Sequence, residues 1–180
     1  MIRVAFVGDS TSCAGSWVDH VDAEDIIVMG GFATAGFTSA QLLPTTAPFD
    51  ADVLVVMVGV NDVRLGVSAV TTLANIEAIV TAVGADRVVL SAIVPNNLTD
   101  YGSAHINRKE KGEIFNRTLL DLAAAHGWLF VDPCNEFRKL DNGFKAGMTT
   151  DNVHPVESGY ALMANRLEGA VRLAVNGAAA

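Results

Sequence analysis

The stretch Val4-Ala5-Phe6-Val7-Gly8-Asp9-Ser10-Thr11-Ser12 is an apolar run that stops abruptly at a glycine and is followed by hydroxyl groups. The apolar part is suited to a buried strand. In α/β proteins, ligands bind beyond the carboxyl ends of parallel strands, so Ser10 stands at the expected opening of a site. The alternative interpretation is that Ser10 is a helix N-cap, because serine often accepts a hydrogen bond from the first turn of a helix.

Apolar runs of the same kind recur along the chain and predict four further strands, at Ile26–Met29, Val53–Val58, Val88–Val94 and Trp128–Val131. Most are continuous rather than alternating, which is typical of parallel strands covered on both faces. The segments between them predict helices at Ser16–Val21, Thr38–Leu43, Leu73–Val83, His105–His126 and Glu157–Val175. This alternation predicts a three-layer α/β/α sandwich with a five-stranded parallel sheet.

Composition limits the classes of function. The chain has 180 residues, of which 51% are hydrophobic and 18% charged, and its net charge is -8. Such a chain favours a packed core, and its acidity argues against a nucleic-acid partner. We expect a single domain over residues 1–175 and a disordered or vector-derived tail at 176–180. The longest apolar run, Val53–Val58, is too short to cross a bilayer, so we expect no integral membrane association.

No signal peptide is visible at the start of the sequence, which predicts a cytoplasmic protein, or a secreted one if a leader was removed. Two cysteines, Cys13 and Cys134, are too few for a disulfide framework, and no Cys-x-x-Cys pair indicates a metal site. No residue pattern in the chain addresses its oligomeric state.

Three clusters of polar residues and glycines follow predicted strands or precede the last helix. Gly30–Thr38 contains glycines that would let backbone N–H groups approach a ligand, or would simply form a flexible turn. Gly59-Val60-Asn61-Asp62 would aim a carboxamide at the same edge of the sheet, or would form a turn or helix cap. In Asp151-Asn152-Val153-His154-Pro155, the carboxylate could hold the imidazole Nδ1–H and leave Nε2 as a base, or the pair could be structural.

Taken together, these stretches resemble the SGNH hydrolases, also called the GDSL esterase/lipase family. The family has four characteristic sequence blocks. Gly8-Asp9-Ser10 matches the first block, and Gly36 matches the glycine of the second. Gly59–Asp62 matches the third block, and Asp151–Pro155 matches the last. The second block usually carries Asn-x-Gly ahead of its final glycine, whereas Gly31 and Ala33 stand in those places here. The resemblance implies a flavodoxin-like architecture.

The resemblance also implies a serine esterase or acylhydrolase, with Ser10 as nucleophile, His154 as base and Asp151 as its partner. An acyl-enzyme would form and be hydrolysed, and the oxyanion would be bound by the backbone N–H groups of Ser10 and Gly36 and by the Asn61 carboxamide. The expected substrates are small-molecule, carbohydrate or lipid esters, with short acyl or O-acetyl groups favoured. No metal or organic cofactor is implied.

The substrate pocket is expected to be shaped by loop residues, for which Arg64, Asn97 and Tyr101 are the candidates. The chief alternative is a flavodoxin-like module that binds a phosphate or nucleotide without hydrolysing it, with the hydroxyl groups of Ser10–Ser12 and Ser16 as the cradle. A phospho-receiver domain fits less well, because no lysine follows the fourth or fifth strand closely. A carbohydrate-binding relative without activity would have no use for Asp151 and His154.

Overall fold

A computed structural model of the chain describes residues 1–98 and 107–177. Within those residues, a single five-stranded sheet is built from β1 (Ile2–Gly8), β2 (Ile26–Ala33), β3 (Val53–Met57), β4 (Val88–Ser91) and β5 (Leu129–Val131). The strands are parallel and lie in the order β2-β1-β3-β4-β5. The α-helices in the same residues are α1 (Ser39–Leu42), α2 (Val60–Leu65), α3 (Ala69–Val83), α4 (Arg108–His126) and α5 (Glu157–Asn176).

Helices cover both faces of this sheet, so the predicted three-layer α/β/α sandwich is confirmed. On one face, α5 and a short 3₁₀ turn at Trp17–His20 pack against the strands, with Met163 and Leu167 fully buried. On the other face, α3 and α4 contribute Ile76, Ile79 and Leu119 to a second core. Every residue of β3 is buried, as its unbroken run of Val, Leu and Met predicts for a central parallel strand.

The second strand is longer than the sequence predicts, and this corrects the interpretation of Gly30 and Gly31 as loop residues. Both lie within β2, which continues to Ala33, and the register of β2 against β1 shifts at this point. A Cβ at Gly31 would overlap the carbonyl oxygen of Phe6. The glycine therefore allows close approach of β2 to β1 and is not placed to bind a ligand.

The helix α2 was not predicted at all, because the Asn-Asp pair within it is equally typical of a turn. The predicted helix at Ser16–Val21 is instead the 3₁₀ turn, and α3 begins at Ala69, four residues before the predicted start. The predicted start of α4 at His105 lies outside the described residues, and α4 ends at His126, as predicted.

The last helix, α5, includes Asn176, which the sequence had assigned to a tail. Residues 178–180 lie outside the described part of the chain, and the extent of the domain stays a prediction. Among the described residues, no helix is long and apolar enough to cross a membrane.

Candidate active site

The hydroxyl group of Ser10 lies just beyond β1, on a 3₁₀ turn at Ser10–Ser12. The N-cap of this turn is Asp9, whose Oδ1 accepts hydrogen bonds from the backbone N–H and the hydroxyl of Thr11 at 3.0 and 2.9 Å. Capping by Asp9 rules out the N-cap interpretation of Ser10. The Ser10 Oγ instead lies 2.9 Å from His154 Nε2, so the hydroxyl is free to pair with a base.

His154 lies in the loop before α5, with one imidazole nitrogen next to Ser10 and the other next to Asp151. The Nδ1 atom of His154 lies 2.6 Å from Asp151 Oδ2. Asp151 Oδ1 accepts hydrogen bonds from the backbone N–H groups of His154 and Val153 at 2.7 and 2.9 Å. With the carboxylate accepting from Nδ1–H, the neutral imidazole presents Nε2 to Ser10 as an acceptor.

The ionisation state of Asp151 follows from these contacts. Desolvation on burial favours the neutral acid, but the hydrogen bonds from the His154 backbone and imidazole and from the Val153 N–H outweigh it, and the pKa of Asp151 falls well below its usual range. The carboxylate is therefore charged at neutral pH, as an acceptor for Nδ1–H requires.

Asp9 shows the opposite shift. Its side chain is buried beneath Ser10, and this burial raises the pKa of Asp9 to about 6, against the hydrogen bonds from Thr11, which lower it. Asp9 makes no contact with Ser10 Oγ or the imidazole within hydrogen-bond distance. It shapes the turn that presents Ser10 and belongs to the structural support of the site.

Asn61 lies on α2, which follows the third strand, and this places it at the same edge of the sheet as Ser10. Asn61 is 7% exposed, and its Nδ2 donates a hydrogen bond to the Phe37 carbonyl at 2.9 Å. This bond ties α2 to the segment that contains Gly36, an exposed glycine with φ of 79°. Because a carboxamide nitrogen carries two N–H groups, the bond to Phe37 fixes the side chain and leaves the second N–H for another acceptor.

The position of α2 is fixed in turn by Asp62. Its carboxylate accepts hydrogen bonds from the backbone N–H of Ser39 at 2.9 Å, the Ser39 hydroxyl at 2.6 Å and the Thr72 hydroxyl at 3.3 Å. These three donors join α2 to α1 and α3. Asp62 therefore braces α2, the helix that carries Asn61, against both of these helices.

A cleft of about 430 Å³ opens over these residues. Ser10, Gly36, Asn61, Asp151 and His154 all line it, so the structure brings together every residue predicted for the triad and the oxyanion hole. Among the described residues, the apolar part of the wall is formed by Ala35, Val60, Val94, Leu98 and Val153. A nucleophile paired with a base, next to backbone and carboxamide hydrogen-bond donors, is the arrangement that acyl transfer requires.

The three predicted substrate residues have different outcomes. Arg64 lines the cleft. Asn97 is not among the described residues that line the cleft. Its Oδ1 accepts a hydrogen bond from the Phe144 N–H at 2.9 Å, and its backbone N–H donates one to the Asn152 carbonyl at 3.0 Å. Asn97 therefore braces the loop that carries His154. Tyr101 lies outside the described residues.

Two further polar residues, Asn96 and Arg108, line the cleft. Asn96 lies in the loop after the fourth strand, where loop residues were expected to shape the substrate pocket. Arg108 is the first residue of α4 and follows no strand, so no motif marked it.

The proposed phosphate cradle of the alternative interpretation is not available. Thr11 donates its hydroxyl to Asp9, and the Ser12 hydroxyl accepts a hydrogen bond from Trp17 Nε1 at 3.1 Å. Both hydroxyls, and that of Ser16, lie on buried residues. Ser10 and Thr11 both line the cleft, but the Thr11 hydroxyl is bonded to Asp9, whereas the Ser10 hydroxyl is paired with a base, His154.

A larger groove of about 910 Å³ lies between α4 and the segment after β5. The described residues that line it include arginines, lysines and carboxylates, but no serine, cysteine or histidine. It therefore offers no nucleophile–base pair, and the smaller cleft remains the candidate site. In the described ranges, no group of three or more potential ligands is arranged to hold a metal ion.

The sequence model of the GDSL-like lipase/acylhydrolase family matches residues 6–162. The match runs from β1 through the Asp151–His154 loop into α5, so it includes every element that contributes to the cleft. This chain belongs to the GDSL-like lipase/acylhydrolase family, as the motif resemblance predicted. No curated protein sequence matches the chain significantly.

Solved structures with the same fold include several members of this family and other hydrolases. A GDSL-like lipase from Bacteroides thetaiotaomicron superposes with a TM-score of 0.74 at 22% identity, covering 94% of this chain and 87% of that one. A carbohydrate acetylesterase family member from Sinorhizobium meliloti gives 0.71 at 19% identity, over 98% and 100% of the two chains. The M. smegmatis aryl esterase gives 0.69 at 16% identity, over 97% and 100%. At these identities the likeness establishes the fold.

Proposed function

We propose that this protein is a serine esterase that cleaves carboxylic esters through Ser10, His154 and Asp151. The observation that carries the proposal is the continuous chain of contacts from Ser10 Oγ to His154 Nε2 at 2.9 Å and from His154 Nδ1 to Asp151 Oδ2 at 2.6 Å. Two hydrogen bonds in this order match the nucleophile, base and orienting carboxylate of a serine hydrolase. The family membership supports the same reaction class.

In the proposed first step, Ser10 Oγ attacks the ester carbonyl carbon while its proton passes to His154 Nε2. The carbonyl oxygen becomes an oxyanion, and the donors available to it are the backbone N–H groups of Ser10 and Gly36 and the free N–H of Asn61. Collapse of this intermediate breaks the bond to the alcohol oxygen, which takes the proton from His154. Asp151 stabilises the imidazolium throughout without taking its proton.

In the second step, water attacks the acyl-enzyme. His154 Nε2 takes a proton from the water as its oxygen bonds to the acyl carbon, and then returns that proton to Ser10 Oγ as the ester bond to Ser10 breaks. The products are a carboxylic acid and an unchanged enzyme. Each step uses only residues that line the cleft.

The size and lining of the cleft support short acyl groups. Its volume of about 430 Å³ must hold the whole reacting region, and five apolar side chains among the described lining residues are available to an acyl chain. Two proteins of the same fold are described as a carbohydrate acetylesterase family member and an aryl esterase. We therefore propose acetyl or other short acyl esters as substrates, with the leaving alcohol at the open side.

A panel of 4-nitrophenyl esters of increasing chain length tests this proposal, with Ser10→Ala as the inactive variant and Ser158→Ala as the control. Ser158 is an exposed serine on α5 that does not line the cleft. We expect kcat/KM to be highest for the acetyl or propionyl ester, to vanish in Ser10→Ala and to be unchanged in Ser158→Ala. A folded Ser10→Ala protein with wild-type turnover would refute the triad, and highest activity on long chains would refute the short-acyl assignment.

A further inference from the structure

The side chain of Arg64 lines the cleft together with Ser10 and His154. Arg64 lies three residues after Asn61 on α2. Residues at this spacing share one helix face, with their Cβ atoms about 5–6 Å apart. The arginine therefore lies about one helical turn from the proposed oxyanion donor, along the wall of the same cleft.

The guanidinium of Arg64 is not paired with any described residue. Within residues 1–98 and 107–177, it takes part in no hydrogen bond or ion pair, and its Nε is buried without an acceptor. Three other arginines, Arg3, Arg138 and Arg172, each lie within 3.0 Å of a carboxylate oxygen. A guanidinium keeps its charge at any physiological pH and carries five N–H donors, so this one is left to bind an acceptor from outside the chain.

Among the described residues of the cleft, no carboxylate forms an ion pair with Arg64. Asp151 is the one carboxylate among the described residues that line the cleft, and hydrogen bonds to His154 and Val153 occupy both of its oxygens. A second arginine, Arg108, is 4% exposed and lines the same cleft. In a chain whose net charge is -8, two arginines thus line the same cleft as the reacting serine.

We propose that the cleft selects esters that carry an anionic oxygen group, a carboxylate or a phosphate, which Arg64 binds while Ser10 attacks the ester carbonyl. This inference rests on the proposed esterase function and specifies its substrate class. The guanidinium is planar and pairs with such groups through two parallel N–H···O bonds, which fix orientation as well as adding affinity. Because Arg64 lies one turn from Asn61, the anionic group and the ester carbonyl would be bound along the same wall of the cleft.

Matched ester pairs test the proposal, each pair differing only in whether its acid group is free or methylated. For an anion on the acyl side, the pair is 4-nitrophenyl succinate and its methyl ester. For an anion on the alcohol side, one pair is 4-acetoxybenzoate and its methyl ester. The other is 4-acetoxyphenyl phosphate and its dimethyl ester, because a monomethyl phosphate would keep a negative charge. The measured quantity is the ratio of kcat/KM for the anionic member to that for the neutral member.

We expect wild-type protein to prefer the anionic member of at least one pair by about 10–100-fold, the usual effect of one hydrogen-bonded charge pair. Arg64→Gln should bring that ratio close to one by lowering kcat/KM for the anionic ester, and Arg64→Lys should restore part of it. Arg87→Gln is the matched control, because the Arg87 Nε is also buried without a partner, but it lies before β4 at the opposite end of the sheet. This variant should keep the wild-type ratio.

A wild-type ratio of one or less in every pair would overturn the anionic-substrate assignment, as would a preference that Arg64→Gln leaves intact. Absence of hydrolysis of every ester, neutral members included, would instead overturn the esterase proposal. In that case, calorimetric titration with monomethyl succinate and phenyl phosphate tests the anion site directly. Binding that Arg64→Gln abolishes and Arg87→Gln retains would support the site, and its absence in the wild type would overturn it.

Discussion

Replacing Asn61 with alanine removes two interactions at once, and their separate magnitudes can be worked out from the structure. The first is the 2.9 Å hydrogen bond to the Phe37 carbonyl, whose loss should lower the free energy of unfolding by about 1 kcal/mol. The second is the N–H that the proposed mechanism directs at the oxyanion. Loss of one such donor typically lowers kcat by about 10²–10³, or roughly 3–4 kcal/mol of transition-state stabilisation.

The expected result for Asn61→Ala is therefore a small loss of stability and a large loss of kcat per folded molecule, with little change in KM. The assay is initial-rate hydrolysis of a 4-nitrophenyl ester, normalised to the folded fraction from urea unfolding. Asn116→Ala is the matched control, because Asn116 Oδ1 accepts the Ile93 N–H at the same 2.9 Å and lies on the larger groove rather than the cleft. It should lose similar stability and retain wild-type kcat.

Asn61→Asp makes the test sharper. Aspartate keeps the size of the side chain but has only acceptors when ionised, so it would oppose both the Phe37 carbonyl and a developing oxyanion. We expect it to be at least as inactive as Asn61→Ala. Wild-type kcat in either variant would show that Asn61 only joins α2 to the Gly36 segment and that the oxyanion is bound by other groups.

Three further perturbations have defined outcomes. Asp151→Asn should lower kcat by up to about 10⁴, because the imidazole loses the acceptor that fixes its tautomer, and a fall of less than tenfold in steady-state assays would contradict that role. Asp9 should make the protein less stable as pH rises from about 4 to 6, because its pKa is about 6 in the folded protein and 3.8 in an unperturbed aspartate. The folded state therefore binds more protons across that window. The effect amounts to up to about 3 kcal/mol and is fully developed above pH 6. Urea unfolding at several pH values should show this decline in the wild type but not in Asp9→Asn, and identical profiles would refute it. Ser39→Ala should cost about 1–3 kcal/mol, because the buried Asp62 carboxylate loses its 2.6 Å bond, and an unchanged urea midpoint would contradict this bracing.

The sequence predicted most of what positions the site, because strand ends are easy to locate in a parallel sheet. The apolar runs mark the strands, and the polar residues that follow them must meet at one edge. Ser10 and Asn61 reach the cleft for that reason. The Asp151–His154 spacing belongs to one short loop, so its geometry depended little on distant packing.

The predictions from sequence were wrong where the same residues fit two local structures. In those places, only packing or the direction of a side chain decides between the two. Gly30 and Gly31 look like the end of a strand, and only the close approach of Phe6 across the sheet shows why glycine continues it. Asn96 and Asn97 are adjacent identical residues, and in extended chain adjacent side chains point to opposite sides. The structure turns Asn96 to the cleft and Asn97 to Phe144 and Asn152, a choice that one sequence does not encode locally.

Covalent labelling of the nucleophile tests the central claim most directly. A fluorophosphonate should modify the folded protein with one phosphonyl group per chain, located on Ser10 by peptide mass spectrometry, and ester hydrolysis should fall in proportion to labelling. His154→Ala should react far more slowly, because it lacks the base 2.9 Å from Ser10 Oγ. Labelling of a different serine in step with loss of activity, or full hydrolysis after complete labelling of Ser10, would contradict the account.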